Sequence, residues 1–255
     1  MNQKSDYIAV FDSGVGGISV LRHLVKRMPN ERFLYYGDSA NAPYGTKTVA
    51  QVQSFSICVA EKFLQQGIKA LVVACNTATA AAVDLLRQRY PDLIVVGIEP
   101  AVKLAADKFP GGTVGVMATP LTTDSEKLHA LEARWREKCN IIPLPMPGLV
   151  ELVESGKAVS AESEALLQPM LQPYAGKLDA VVLGCTHYPF AAVTIQKLLG
   201  EKTALLDGGE GTARETQRRL AAAKLLHDGE GEILIQSSAE DPEMIKRCWE
   251  LLKAE

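Results

Sequence analysis

Ala70-Leu71-Val72-Val73-Ala74-Cys75-Asn76-Thr77 is an unbroken apolar run that ends in a thiol and two polar residues. Asp179-Ala180-Val181-Val182-Leu183-Gly184-Cys185-Thr186-His187 repeats the design 110 residues further on. Short Val- and Leu-rich runs of this kind are typical of strands buried on both faces, and such strands belong to parallel sheets. In open α/β sheets, ligands bind at the carboxyl ends of the strands. Each run therefore delivers a cysteine to a place where chemistry is done. Two such thiols suit an enzyme that takes a proton from one side of a carbon and returns one to the other.

Working outward, apolar runs at 7–11, 33–36, 93–98, 113–117, 141–144 and 203–206 also read as strands. Between most of them lie helical patterns over 17–28, 48–66, 77–90, 100–108, 123–138, 161–174 and 189–199. Strands alternating with helices predict an α/β fold with mainly parallel sheets. Thr77 and Thr123 signal helix starts, and Pro100 and Pro189 suit first-turn positions. Ile8-Ala9-Val10-Phe11-Asp12-Ser13 resembles Val114-Gly115-Val116-Met117-Ala118-Thr119 at an offset of 106. Two strand-end motifs with similar offsets predict two pseudo-symmetric, doubly wound α/β lobes. Each lobe is expected to give a strand end and a thiol to an active-site cleft between them. The break at Gly97-Ile98-Glu99-Pro100 assigns 1–98 to the first lobe and 99–206 to the second. The tail, with a helix over 210–227, a short strand over 232–236 and a last helix over 242–253, is expected to return to the first lobe. That lobe then comprises 1–98 plus 207–255.

Bulk properties exclude several classes. The 255 residues are 47% hydrophobic, enough for a real core and against wholesale disorder. A net charge of -3, with no basic stretch longer than the pair Arg218-Arg219, argues against nucleic acid as a partner. No run of 18 apolar residues is available to span a membrane. The N-terminus, Met1-Asn2-Gln3-Lys4-Ser5-Asp6, lacks the apolar core of a secretory signal, so a cytoplasmic location is expected. The five cysteines, at 58, 75, 139, 185 and 248, form no C-x-x-C, which speaks against a disulfide framework or a zinc site. Cys58, Cys139 and Cys248 read as small buried hydrophobes, and His23, His129 and His227 as surface residues of helices.

Several motifs carry chemistry. Phe11-Asp12-Ser13-Gly14-Val15-Gly16-Gly17 follows the first strand and opens the first helix. Its glycines let backbone approach a ligand, and the helix start offers N–H groups to an anion. The G-x-G-G spacing is a poor match to the dinucleotide fingerprint G-x-G-x-x-G, which weakens a nicotinamide-dependent oxidoreductase reading. Asp12 is placed to orient a thiol or an ammonium group, or simply to serve the turn. The loop Tyr35-Tyr36-Gly37-Asp38-Ser39-Ala40-Asn41-Ala42-Pro43-Tyr44-Gly45 offers backbone N–H groups around Tyr44 and Gly45 to a carboxylate, or is an ordinary turn-rich connection. Asn76, Thr77 and Thr186 add donors beside the two thiols. A helix N-terminus or a cationic His favours the thiolate that abstracts a proton, and His187 stands two residues from Cys185. Glu151 and Glu154, three apart, share a helical face. A non-catalytic amino-acid binding module would use the same donors but has no need of two strand-end thiols.

FDSGVGG, YGDSANAPYG, VVACNTAT and LGCTHYP, in this order and spacing, resemble the cofactor-independent glutamate racemases, within a superfamily that also holds aspartate and hydantoin racemases. The likeness runs from about residue 7 to 253. It implies a two-base mechanism without pyridoxal phosphate or any other cofactor, and without a metal. By the resemblance, Cys75 takes the proton from D-glutamate and Cys185 from L-glutamate; Asp12 assists the first thiol and His187 the second, with Glu154 near the second half of the site. Asp12 with Ser13, Pro43 with Tyr44 and Gly45, Asn76 with Thr77, Thr119, and Thr186 with His187 match substrate-holding positions. The His after Cys185-Thr186 resembles the glutamate enzymes, whereas aspartate racemases typically carry an acidic residue there. Aspartate or another acidic amino acid is the alternative substrate. The implied product, D-glutamate, supplies peptidoglycan synthesis. Asn41 stands where family members often have Arg. Dimer arrangements vary in the family, so a homodimer is admitted by the resemblance and not read from the residues. With about six residues before the first strand, activation by a peptidoglycan precursor is not expected.

Overall fold

A computed structural model describes residues 6–253; the polar stretch 1–5, part of the N-terminus that reads as lacking a signal, lies outside the described residues. Among those described, nine strands follow in chain order: β1 (Tyr7–Asp12), β2 (Arg32–Gly37), β3 (Ala70–Val73), β4 (Ile94–Gly97), β5 (Thr113–Ala118), β6 (Asn140–Pro145), β7 (Ala180–Leu183), β8 (Ala204–Leu206) and β9 (Glu232–Ser237). They form a five-stranded sheet, order β4-β3-β1-β2-β9, and a four-stranded sheet, order β6-β5-β7-β8. Every pairing is parallel. The fold is thus the expected α/β class. The chain divides into two compact units, one made of residues up to Glu99 with those from Gly209 onward, the other of Pro100–Gly208.

The two sheets repeat one plan. Reading β4-β3-β1-β2 against β8-β7-β5-β6 matches strand for strand, and β9 is an addition to the first unit. Registers agree as well: Ile8 pairs with Ala70 in one sheet and Val114 with Ala180 in the other. The central strands are apolar because both of their faces are covered. Ile8, Ala9, Val10 and Phe11 are fully buried, as are Val72 and Val73 in the first unit and Val181 and Val182 in the second. In the first unit the helices Ile18–Arg27 and Gly209–Ala222 pack together, and the helix Pro242–Lys253 also lies on Ile18–Arg27. No described helix is long and apolar enough to cross a membrane.

Helix boundaries depart from the sequence reading in several places, and the helices read to 138 and 174 end at Trp135 and Leu171. Thr77 lies inside a helix that starts at Asn76, with Cys75 as its N-cap. Thr123 closes the short helix Pro120–Thr123, and the following helix Glu126–Trp135 is capped by Ser125, whose Oγ accepts from Leu128 N–H. Ser125 is the better cap because it directly precedes the amphipathic run. Pro100 precedes, and does not open, the helix Val102–Lys108. The helix read to 227 ends at Ala222, so His227 stands in a connection and not on a helix; its backbone N–H donates to Glu31. Cys58 is exposed, unlike the buried Cys139 and Cys248, because it falls on the outer face of the helix Val49–Gln66.

Candidate active site

Within each sheet the central strand feeds neighbours on both sides, and the direction of winding reverses next to it. That reversal lies between β1 and β3 in the first sheet and between β5 and β7 in the second. Ligands in open α/β sheets bind outside the carboxyl ends of the strands at such a switch point. The residues standing there are Asp12, Ser13 and Cys75 in the first unit, and Thr119 and Cys185 in the second. Both thiols therefore occupy the same topological position in their own sheets.

In the first unit Cys75 follows β3 and caps the helix Asn76–Arg89, its sulfur accepting from Ala78 N–H at 3.4 Å. A helix N-terminus stabilises negative charge at that point. The Cys75 thiol reaches Ser13 Oγ at 3.9 Å. Asp12 is wholly buried, and its Oδ1 accepts from Gly14 N–H at 3.0 Å. Gly17 has no room for a side chain, since a Cβ there would stand 2.6 Å from Asp12 Cβ. Tyr44 is buried, and Asp12 and Cys75 both add to the factors that keep its phenol protonated, after burial and its hydrogen bond to Asp38. Both ends of the Asn76 amide are buried with no hydrogen-bond partner among the described residues. Such groups are rare because each costs about 1–3 kcal/mol, and a ligand carrying carboxylate and ammonium groups would satisfy them.

In the second unit three predicted residues form a chain. Cys185 Sγ lies 3.6 Å from His187 Nδ1, and His187 Nε2 lies 2.6 Å from Glu154 Oε1. Thr186 Oγ1 is 3.5 Å from the same Nδ1. Burial alone would push His187 down. The hydrogen bonds to Cys185 and Glu154 outweigh it and hold the imidazole well above the usual histidine range. Gly184 sets the sulfur's position by a close approach: a Cβ there would stand 2.7 Å from Met117 O. Thr119 follows β5, with its hydroxyl 3.0 Å from Thr122 Oγ1. Of the two acidic residues on the helix Leu149–Glu154, Glu154 meets His187 while Glu151 is exposed.

Pro43, Tyr44 and Gly45 lie together in the loop after β2, in the same unit as Asp12, Ser13, Cys75, Asn76 and Thr77. Sequence reasoning missed Asp38, a buried carboxylate in that loop. An acidic residue directly after a buried strand was the available signal. It also left Thr122, the partner of Thr119, unremarked.

A family model described as Asp/Glu/Hydantoin racemase matches residues 12–216. The glutamate racemase of Clostridium botulinum (strain Alaska E43 / Type E3) is 42% identical over 257 residues, covering 100% of both chains. The crystal structure of glutamate racemase from Francisella tularensis in complex with D-glutamate superposes with a TM-score of 0.85 at 28% identity, over 99% of this chain and 96% of that one. The Escherichia coli glutamate racemase in complex with L-glutamate and the activator UDP-MurNAc-ala gives 0.84 at 32% identity, over 96% and 94%. With a family model spanning most of its length, full-length relatives and a matching fold, the chain belongs to the Asp/Glu/Hydantoin racemase family of isomerases.

Proposed function

We propose that the chain interconverts L- and D-glutamate without a cofactor, using Cys75 and Cys185 as two bases. The observation that carries the reading is the duplicated thiol, one at the switch point of each of two matching sheets. Racemisation converts a molecule into its mirror image, so the two directions make equal demands, and two acid–base groups of the same kind meet them. Cys75, as thiolate, takes the α-proton of D-glutamate and the electron pair stays on the substrate as a planar carbanion. Cys185, as thiol, then donates its proton to the opposite face, giving L-glutamate and a Cys185 thiolate. The reverse direction exchanges the roles.

Asp12 assists Cys75 and His187 assists Cys185, with Glu154 holding the imidazole. Ser13, Asn76, Thr77, Thr119 and Thr186, together with the 43–45 backbone, hold the substrate carboxylates and ammonium group. Developing charge on the substrate is met by preorganised donors, and acid–base transfer contributes about 10²–10⁴-fold. The substrate assignment draws on relatives that are glutamate racemases. D-Glutamate made in this way supplies peptidoglycan synthesis.

The test is polarimetry on L- and D-glutamate with no cofactor added, using the wild type, Cys75→Ser and Cys185→Ser. The wild type should abolish the rotation of either enantiomer, and each variant should lose nearly all turnover. A Cys75→Ser variant with full activity would sink the mechanism. Faster turnover of aspartate than of glutamate would reassign the substrate.

A further inference from the structure

Asp38 stands one residue beyond β2, at the carboxyl edge of the first sheet, and its backbone N–H donates to Asp12 O at 2.9 Å. It is 3% exposed. Its carboxylate accepts from Tyr44 Oη at 2.6 Å and from Asn41 Nδ2 at 3.1 and 3.0 Å. Both donors are neutral, and no cation pairs with Asp38 among the described residues. A buried carboxylate without a countercharge is costly, so its place in this loop calls for a compensating use.

Tyr44 supplies that use. Its ring is 1% exposed, edge-on to Phe11 at 6.1 Å and tilted on Phe55 at 5.6 Å. The start of the loop is tied down separately, by Ser39 Oγ with Ser237 Oγ at 2.6 Å and by Ala40 N–H to Ser238 Oγ at 2.9 Å. The far end, where the chain passes through Pro43, Tyr44 and Gly45, has local bonds from Thr46 Oγ1 to Pro43 O at 3.2 Å and from Lys47 N–H to Tyr44 O at 3.1 Å. The ring packing and the bond from Tyr44 to Asp38 tie it to the rest of the unit. Asn41 bridges both carboxylate oxygens, so Oδ2 accepts from its amide and from the phenol together and Asp38 links Asn41 to Tyr44.

We propose that Asp38 is a positioning residue for substrate binding, acting through its hydrogen bond to Tyr44 to set the 43–45 backbone against the substrate. This rests on the reading above that 43–45 holds a glutamate carboxylate. Asp38 itself touches neither the substrate nor the migrating proton. Its loss is therefore felt in binding, equally for both enantiomers, and not in the proton transfers.

The experiment compares steady-state kinetics in both directions for the wild type, Asp38→Ala, Asp38→Asn and Tyr44→Phe, with folding checked by circular dichroism. Asp38→Ala and Tyr44→Phe should each raise KM for L- and D-glutamate by about tenfold, which corresponds to about 1.4 kcal/mol, while kcat stays within about threefold. Asp38→Asn keeps an acceptor for the phenol and should recover most of the KM. Tyr44→Phe removes the same bond without changing charge, and it decides the matter if Asp38→Ala does not fold. An unchanged KM in folded Tyr44→Phe would overturn the proposal, as would a loss confined to kcat in one direction. A wild type that fails to racemise glutamate strikes the functional reading itself, and the two failures are thus told apart.

Discussion

His187 is almost fully buried, yet it carries a carboxylate on one ring nitrogen and a thiol near the other. Burial works against its charged form, and the hydrogen bonds to Cys185 and Glu154 outweigh that, so its folded value is raised. The stabilisation this gives is complete below the unfolded value of about 6.5 and is lost as pH rises through the folded value. Glu154→Gln weakens the bond and should lower the imidazole's value. The alkaline limb of the kcat/KM profile against pH should then move to lower pH. An unmoved limb would show that Glu154 does not tune His187. The thiols themselves were legible because each ends an apolar run with polar company. The bond from His187 to Glu154 spans 33 residues, and no local pattern encodes it, so only the resemblance pointed to Glu154. Asp38 was within a quoted loop but unremarked, because its partner Tyr44 comes close only after the loop folds back.

At the level of strands and turns, the short run before each cysteine fixes where the sulfur stands. Gly184 lies against the backbone of β5, and an added methyl would meet Met117 O at 2.7 Å. A carbonyl cannot give way as a flexible side chain can. Gly184→Ala should therefore cost about 1–3 kcal/mol, read as a lower urea midpoint, together with a fall in kcat as Cys185 shifts. A variant of wild-type stability and turnover would contradict the close-approach account. The central strands were legible because two-sided burial writes itself as continuous apolar runs, whereas β6, β8 and β9 at the sheet edges are only partly buried. Helix ends were less so. Thr77 and Thr123 look like caps in isolation, but the cap falls to whichever residue directly precedes the first hydrogen-bonded turn, here Cys75 and Ser125. The helix after Gly209 stops at Ala222 because the chain turns there through a left-handed cap, with Lys224, at a φ of 57°, donating its N–H to Ala221 O at 3.1 Å and Leu225 N–H donating to Leu220 O at 2.9 Å.

For the chain as a whole, the C-terminal segment returns to the first unit by helix packing and by the pairing of β9 with β2, and a buried ion pair ties down its connection. Lys69 Nζ lies 2.6 Å from Glu31 Oε2 and also donates to Leu225 O at 2.9 Å, while Glu31 Oε1 accepts from His227 N–H at 2.8 Å. Both side chains are nearly inaccessible. Lys69→Met leaves the Glu31 carboxylate buried and unpaired, and should destabilise the protein by about 3–5 kcal/mol in urea unfolding. Adding Glu31→Gln should recover part of that loss; no recovery would show that the pair is not the clasp. The central claim concerns both thiols together, and isotope exchange in D₂O tests it most directly. A thiol carries a single proton, so the base that removes the α-proton of L-glutamate can return only that same proton, while the other thiol delivers solvent deuterium to the opposite face. Early in the reaction, mass spectrometry of the separated enantiomers should find deuterium in the D-glutamate formed and none in the L-glutamate that remains. Deuterium in the remaining L-glutamate at a rate equal to or above racemisation, or protium retained in the product, would contradict two-base catalysis by Cys75 and Cys185.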